Sequence, residues 1–216
     1  MRGVQFGDHH TVEDWKLILN SKKINPPTPK TNKVEVDGRD GDLDLSEALT
    51  GEIKYNNRDV SYVFLVTEGT EKTRDNTINE IVNLIHGRTL QIIDPDDQDH
   101  YFVGRCRVED THNDKAYGTI NIVADCEPYR YMINEVSRIV SPNGVDTDVI
   151  LVNHGRKSVT PTLTVTGAVN ITFGSSSVAL ENGTYKLSSL KLKSGGTSVT
   201  VKGTGTVVFT YREAVL

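Results

Sequence analysis

TRDNTINEIVNLIH, residues 73–86, carries the one strong helical pattern of this 216-residue sequence. Its apolar side chains recur at the i, i+3, i+4 and i+7 spacing that places them on one face of a helix: Ile78, Ile81, Val82 and Ile85. Gly87 follows, and glycine commonly supplies the left-handed residue at which a helix ends. We therefore expect one amphipathic helix packed on a β-sheet.

Short segments rich in β-branched and aromatic residues surround this helix. Before it, strands are predicted at residues 4–6, 15–19, 34–36 and 55–66, with a proline-rich interruption at residues 25–29. After it, strands are predicted at residues 89–93, 101–108 and 118–123, the first two joined by an acidic loop over residues 94–100. The first domain, placed at residues 1–135, should be mainly β with one helix.

The remainder of the chain has a different composition. Strands are predicted at residues 149–152, 162–165, 169–173, 177–180, 183–187, 198–201 and 206–211, with Gly, Asn or Ser between them. Short strands that recur every 8–12 residues or so are typical of a β-sandwich. We place the domain boundary between Tyr131 and Val145 and the second domain at residues 145–216.

Charge is distributed unevenly between the two parts. Residues 1–149 hold 17 Lys and Arg against 27 Asp and Glu, whereas residues 150–216 hold 7 against 2. Such asymmetry favours two domains with different surfaces. The acidic part lacks the basic surface with which proteins bind nucleic acids.

The sequence also indicates where the protein is made. No stretch approaches the roughly 20 consecutive apolar residues of a membrane-spanning helix, and residues 1–10 lack the apolar core of a signal peptide. We therefore expect a soluble protein made in the cytoplasm. Cys106 and Cys126 fit neither a zinc pattern nor a disulfide framework and are expected to be buried free thiols.

Candidate catalytic and metal-binding patterns fail in detail. The acidic run at residues 37–44 departs from a calcium-binding EF-hand, because Leu45 and Gly51 stand where that loop needs Gly and Glu. The histidines lack chelating spacing, the serines at residues 175–177 lack the context of a nucleophile elbow, and no glycine-rich phosphate loop occurs. We expect no metal, no cofactor and no enzymatic activity.

Three aromatic residues of the second domain suit either a core or a sugar-stacking platform: Phe173, Tyr185 and Tyr211. Three in about 70 residues are no more than a core needs, so packing is the favoured interpretation. A carbohydrate-binding module that recognises a host cell-wall glycan stays as the alternative function.

Several short motifs follow one another in order between about residues 30 and 130. They are Gly38-Arg39-Asp40-Gly41-Asp42-Leu43-Asp44-Leu45-Ser46-Glu47, Thr50-Gly51, Tyr55-Asn56-Asn57-Arg58, Leu84-Ile85-His86-Gly87-Arg88, Asp96-Asp97 and Tyr101-Phe102-Val103-Gly104-Arg105. The closing Tyr211-Arg212-Glu213-Ala214-Val215-Leu216 belongs to the same set, although a Gly is commoner where Ala214 stands. In this combination the sequence resembles the distal tail proteins, the Dit-like tail-tip hubs of long-tailed siphophages, chiefly those of Gram-positive hosts.

The resemblance implies a fold and a role. The fold would be an N-terminal β-sandwich with one helix, followed by a C-terminal galectin-like β-sandwich. The role would be a hexameric ring at the tail tip, or baseplate, of the virion, assembled in the host cytoplasm without a membrane. The ring would join the tail tube protein and the tape-measure protein to a tail-associated lysin or to tail fibre or receptor-binding proteins, and DNA would pass through it without specific binding.

The resemblance also marks a set of motif residues as a candidate interface: Gly38, Gly41, Asp44, Arg58, His86, Gly87, Gly104 and Arg105. A closed ring needs two different faces on each subunit, and we expect edge strands of the first domain to pair between subunits. We also expect Arg58 and Asp44 to form a buried or interfacial ion pair, because a planar guanidinium binds a carboxylate with two hydrogen bonds. We place no long inserted arm and no extra carbohydrate-binding domain in these residues, so we expect receptor contact from the partner proteins.

Overall fold

The chain forms two compact units in the computed structural model, which describes residues 2–48 and 50–216. One unit runs to Arg130 and includes Leu216, and the other covers Tyr131–Val215. None of the helices within the described ranges is long and apolar enough to cross a membrane.

The first unit places its one described helix among the predicted strands. Its elements in chain order are β1 (Gln5–Phe6), β2 (His9–His10), β3 (Ile18–Ile24), β4 (Lys33–Val34), β5 (Leu43–Asp44), β6 (Arg58–Val66), α1 (Glu71–Ile85), β7 (Thr89–Asp94), β8 (Asp97–Asn113) and β9 (Gly118–Cys126). The strand predicted at residues 15–19 begins only at Ile18, because Lys16 takes a left-handed φ of 55° that interrupts an extended backbone.

Helix α1 starts two residues before the predicted position. Thr70 is its N-cap, and its side-chain oxygen accepts a hydrogen bond from the backbone N–H of Thr73 at 3.3 Å. Gly87 follows the helix with a φ of 78°, which confirms the predicted left-handed residue. The predicted apolar face is buried or half-buried: Ile78, Ile81, Val82 and Ile85.

The main sheet of the first unit has the strand order β2-β1-β7-β8-β9-β6-β3. Lys22 on β3 nevertheless contacts Asp94 on β7, although these strands are far apart in that order. The sheet therefore curls over on itself, and an apolar core fills the space between the layers. Phe6 on β1 meets Tyr62 on β6 edge to face, with ring centroids 5.9 Å apart.

The acidic loop predicted at residues 94–100 is wrong in extent. β7 runs to Asp94 and β8 starts at Asp97, which leaves only Pro95 and Asp96 in the turn. Asp94 is 3% exposed, and its carboxylate accepts hydrogen bonds from the Tyr62 hydroxyl at 3.0 Å and from the Asp96 N–H at 2.8 Å. Because these donors satisfy the carboxylate inside the fold, Asp94 belongs to the strand despite its charge.

The second unit is built around one long strand. After β10 (Arg130–Met132), its elements are β11 (Val136–Val140), β12 (Thr147–Asn153), β13 (Thr162–Phe173), β14 (Ser176–Leu180), β15 (Gly183–Tyr185), β16 (Gly195–Tyr211) and β17 (Ala214–Val215). β16 pairs with β11, β12 and β13, and β13 pairs in turn with β14 and β15. Its core shares no residue with the core of the first unit. The mainly β fold predicted from the sequence is confirmed.

Two pairs of predicted strands are single strands in the structure. The segments at residues 162–165 and 169–173 are both part of β13, and those at 198–201 and 206–211 are both part of β16. Gly167 pairs with Gly205, and Gly203 pairs with Val169, so the ladder continues through the glycines that were predicted to end the strands. All three glycines have positive φ, and a Cβ there would fall on a backbone oxygen of the facing strand. Glycine here allows close approach of two strands, not a turn.

Candidate functional site

The predicted interface residues separate into three places in the first unit. His86, Gly87, Gly104 and Arg105 lie together where α1 ends against β8, whereas Gly38, Gly41 and Asp44 lie in the exposed segment around β4 and β5. Arg58 lies apart from both groups, at the buried start of β6. The structure therefore does not bring the whole set together within one chain.

The first group ties the end of α1 to the sheet. The backbone N–H of Gly87 donates to the Cys106 carbonyl at 2.8 Å, and Arg105 donates from Nη1 to the Gly87 carbonyl at 2.7 Å. His86 uses Nδ1 to accept a hydrogen bond from the Val108 N–H at 3.1 Å. These bonds satisfy backbone groups that the end of a helix leaves without partners, so they account for the residues by packing of the subunit itself.

Gly104 is required by a close approach between two strands. It faces Cys126 across the β8–β9 ladder, and a Cβ at Gly104 would lie 2.5 Å from the Cys126 sulfur. Both Cys106 and Cys126 are free and buried, which confirms the prediction. Burial raises the pKa of each thiol to about 12, so both stay protonated and poorly nucleophilic near neutral pH.

The second group lies in a segment that we name the acidic hairpin, residues 33–47, formed by β4, β5 and their connection. It carries six carboxylates against Lys33 and Arg39, and nearly all of its residues are exposed. Gly38 and Gly41 have φ values of 78° and 74°, which suit its tight turns. The Asp44 carboxylate accepts hydrogen bonds from the Ser46 hydroxyl and, at 2.9 Å, from the Ser46 N–H. These two bonds, the hydroxyl first, lower the pKa of Asp44 below 3.8.

Arg58 is a buried guanidinium at 7% exposure. Nη1 donates to the Pro128 carbonyl at 3.1 Å, and the guanidinium carbon lies 5.0 Å from the centre of the Phe102 ring. Burial, and then the positive charge of Arg130, lower the pKa of Arg58. The alternation of β6 already indicated an inward side chain, because Arg58, Val60 and Tyr62 share one face of the strand.

The expected ion pair between Arg58 and Asp44 does not form within the chain. Arg58 donates to a carbonyl, and Asp44 is an exposed residue engaged with Ser46. The buried version of the prediction is therefore wrong, because the two side chains lie in separate places. The interfacial version stays a prediction.

Two buried charged residues of the first unit were missed by sequence reasoning. Arg74 is 3% exposed and joins α1 to the end of β8, donating to the Asn113 side chain at 2.9 Å and to the Gly69 carbonyl at 2.8 Å. Asp94 is the other, with Lys22 and Tyr62 as its side-chain partners. For Asp94 the period-2 pattern of β7, in which Ile92 also faces inward, was an available signal.

The aromatic residues of the second unit serve its core. Phe173 and Tyr211 are buried, and the Tyr211 hydroxyl donates to the Val152 carbonyl at 2.6 Å, which confirms the packing interpretation. Tyr185 is half-buried and borders an open cavity of about 660 Å³ together with Glu181 and Lys202. A single partly exposed aromatic ring provides no stacking platform of the kind expected for a sugar.

Comparison with known proteins finds similarity among solved structures. No protein-family profile and no curated protein matches the sequence. Among solved structures, the crystal structure of the SPP1 Dit protein (gp 19.1) matches with a TM-score of 0.70 and 17% sequence identity. The match covers 98% of this chain and 99% of the SPP1 chain. The SPP1 protein is presented as a paradigm of the hub adsorption apparatus in phages that infect Gram-positive bacteria.

This chain has the Dit fold. The resemblance to Dit-like proteins, expected from the ordered motifs, is thus confirmed at the level of the fold. A match over 98% of the chain extends over both units. The role of the eight motif residues as an interface stays a prediction.

Proposed function

We propose that this protein is the structural hub of a phage tail tip, a distal tail protein without catalytic activity. The observation that carries the proposal is the end-to-end likeness to SPP1 Dit, which spans 98% of one chain and 99% of the other. Because β-sandwich domains occur in many unrelated functions, a match to one unit alone would carry little weight. A match over both units in their chain order is far more specific.

In this proposal six copies form a closed ring in the virion. The ring joins the tail tube protein and the tape-measure protein to a tail-associated lysin or to tail fibre or receptor-binding proteins. The acidic composition of residues 1–149, with 17 basic against 27 acidic side chains, supports a channel that lets DNA pass without binding it. The galectin-like character of the second domain belongs to the same proposal.

The first unit offers surfaces suited to contact between copies. β3 ends the sheet order and pairs only with β6 among the described strands, so its other edge has no described strand partner and suits pairing with a neighbouring copy. The segment around the acidic hairpin exposes Val34, Val36 and Ile53 at 42%, 39% and 39%. Apolar side chains that bury little area in their own chain are suited to an interface with another copy.

Carbohydrate binding is the weaker candidate. A sugar-binding module needs aromatic faces that are open to solvent, and two of the three aromatics considered for that role are buried in the core of the second unit. We therefore assign receptor contact to the partners of this protein.

Light scattering after size exclusion, over a hundredfold range of protein concentration, tests the ring. We expect a species of six times 23.9 kDa at high concentration, seen by negative stain as a ring with a central hole. A 23.9-kDa monomer at every concentration that binds purified Gram-positive cell walls would contradict the hub and favour glycan recognition.

A further inference from the structure

Arg58 is a buried cation for which the described residues of its own chain supply no anion. Its guanidinium donates one hydrogen bond, to the Pro128 carbonyl, and lies over the Phe102 ring. Nε is buried without a hydrogen-bond partner among the described residues. Since nearly all buried polar atoms in native proteins are satisfied, an unsatisfied guanidinium nitrogen calls for an explanation.

The positive charge of Arg130 makes this imbalance larger. Arg130 carries the same sign and opposes the charge of Arg58, and its Nε is also buried without a described partner. Arg130 Nη1 donates to the Asp97 carboxylate at 2.6 Å, and His100 Nδ1 lies 2.7 Å from the same carboxylate. Asp97 is thus already shared, and Arg130 Nη2 donates to the Leu216 backbone oxygen at 2.7 Å, so Arg130 has partners of its own whereas Arg58 has no described anion. A buried cation without a paired anion is costly.

The free edge of the Arg58 guanidinium has the geometry of a carboxylate site. Nη1 is occupied by Pro128, which leaves the edge formed by Nε and Nη2. That edge presents two parallel N–H groups, the arrangement that binds a carboxylate with two hydrogen bonds.

The acidic hairpin carries the complementary group. Of its six carboxylates, Asp44 is the one held in position by described hydrogen bonds, both from Ser46 and both to Oδ1. Asp44 is exposed, and its other oxygen accepts no described hydrogen bond, while Lys33, its partner across the β4–β5 ladder, adds a favourable charge. An ordered, exposed carboxylate with one free oxygen is suited to reach into another molecule.

We propose that Arg58 is an intersubunit carboxylate site, filled in the ring by Asp44 from the acidic hairpin of a neighbouring copy. This inference rests on the proposed ring function, and it identifies the two different faces that a closed ring requires of each subunit. The acidic hairpin is one face. The other is the surface at the start of β6, where Arg58 lies beside Pro128 and Arg130.

Four proteins test the pair: wild type, Asp44→Asn, Arg58→Gln and the double variant. We expect each single substitution to raise the concentration for half-assembly about tenfold or more, as found for buried hydrogen-bonded charge pairs at interfaces. The double variant should assemble no worse than Arg58→Gln, because the second change removes nothing further. Asp42→Asn, an exposed acid two residues away, is the matched control and should leave assembly within about twofold.

A folding defect is separated from a lost contact by two further measurements. Arg58→Lys keeps the charge but loses the two-pronged edge, so it should assemble better than Arg58→Gln and worse than wild type. Asp44 lies on the exposed hairpin, so Asp44→Asn tests the site without disturbing the core. Unfolding temperatures of all variants identify any protein that fails to fold.

The outcomes separate this inference from the ring itself. Rings that form equally well from Asp44→Asn and Arg58→Gln overturn the site and leave the hub function standing. A wild type that stays monomeric at every concentration overturns the ring and the site together, so the failure of the ring is distinguished from the failure of the site alone.

Discussion

The two units satisfy their buried polar groups in different ways. In the second unit the Asn153 amide donates to the Lys157 and Leu192 carbonyls at 2.9 Å, and its oxygen accepts from the Gly155 N–H. Buried Glu213 of the same unit accepts a hydrogen bond from the His154 N–H at 2.9 Å. In the first unit the buried side chains include Arg58, whose Nε has no described partner.

Other buried charged side chains of the first unit have hydrogen-bond partners, which makes the unpartnered Nε of Arg58 informative. Arg74, buried in the same unit, donates from all three of its guanidinium nitrogens, and Asp94 is met by Tyr62 and Lys22. Among the described residues, the buried side-chain atoms without a hydrogen-bond partner are the Nε atoms of Arg58 and Arg130, and both lie in the first unit. Since folding of the chain alone does not explain these features, they are where an assembly contact is best sought.

The largest effects should come from truncating one core at a time. Phe209 of the second unit and Phe64 of the first are fully buried, and changing either to Ala should cost about 3–5 kcal/mol of unfolding free energy. Trp15, the single Trp, lies in the core of the first unit. Its fluorescence should report early thermal unfolding of Phe64→Ala but not of Phe209→Ala, whereas far-UV circular dichroism should detect both.

The two variants serve as controls for each other. If both variants shift the midpoint temperature of the Trp15 fluorescence transition by the same amount, the two units unfold together. The description of two independent cores would then be wrong. If the transitions separate as expected, each unit can be discussed by its own contacts.

Periodic patterns in the sequence were sufficient to predict the main elements. The spacing of Ile78, Ile81 and Ile85 predicted α1 to within two residues, because burial of one helical face dominates its energetics. Composition was a poorer guide where charge or glycine was involved. The acidic residues 94–100 are mostly strand, since partners distant in sequence satisfy Asp94, and Gly167 continues β13 because a facing strand approaches it closely.

The site was predicted less well than the fold. Motif order identified Arg58 and Asp44, but it gave no distance between them, and the structure separates them within the chain. Whether two residues meet depends on long-range packing that no local pattern encodes. The period-2 pattern of β6 does indicate the inward direction of Arg58, whereas the missing counter-charge becomes visible only in three dimensions.

An intermediate effect should come from the closest strand contact of the first unit. Gly104→Ala would place a Cβ 2.5 Å from the sulfur of Cys126 and 3.0 Å from the Asp125 carbonyl oxygen. Overpacking of this kind should cost about 1–3 kcal/mol, measured by urea unfolding followed by Trp15 fluorescence.

Two variants control for this interpretation. Gly118→Ala lies on the neighbouring strand β9, where the nearest atom to the new Cβ is 3.2 Å away, so its cost should be smaller. Adding Cys126→Ala to Gly104→Ala removes the clashing sulfur, and the pair should lose less than the sum of the two single changes. Strict additivity would mean that the strand approach does not limit this position.

The smallest effect concerns the acidic hairpin, the open part of the first unit. Ser46→Ala removes the hydroxyl that contributes most to the lowered pKa of Asp44, so that pKa should rise toward 3.8. A carboxylate with a lowered pKa adds stability above its unfolded pKa and loses it as the pH falls through the folded pKa, so the variant hairpin should depend less on acid pH. Carbon NMR of the Asp44 carboxyl between about pH 2 and 6 measures the change.

The pKa of Asp114, lowered mainly by the N–H groups of Tyr117 and Ala116, should stay the same in the same spectra. An unchanged pKa of Asp44 would show that the Ser46 hydroxyl does not hold the Asp44 carboxylate. Asp44 would then have no advantage over the other acids of the hairpin as the partner of Arg58.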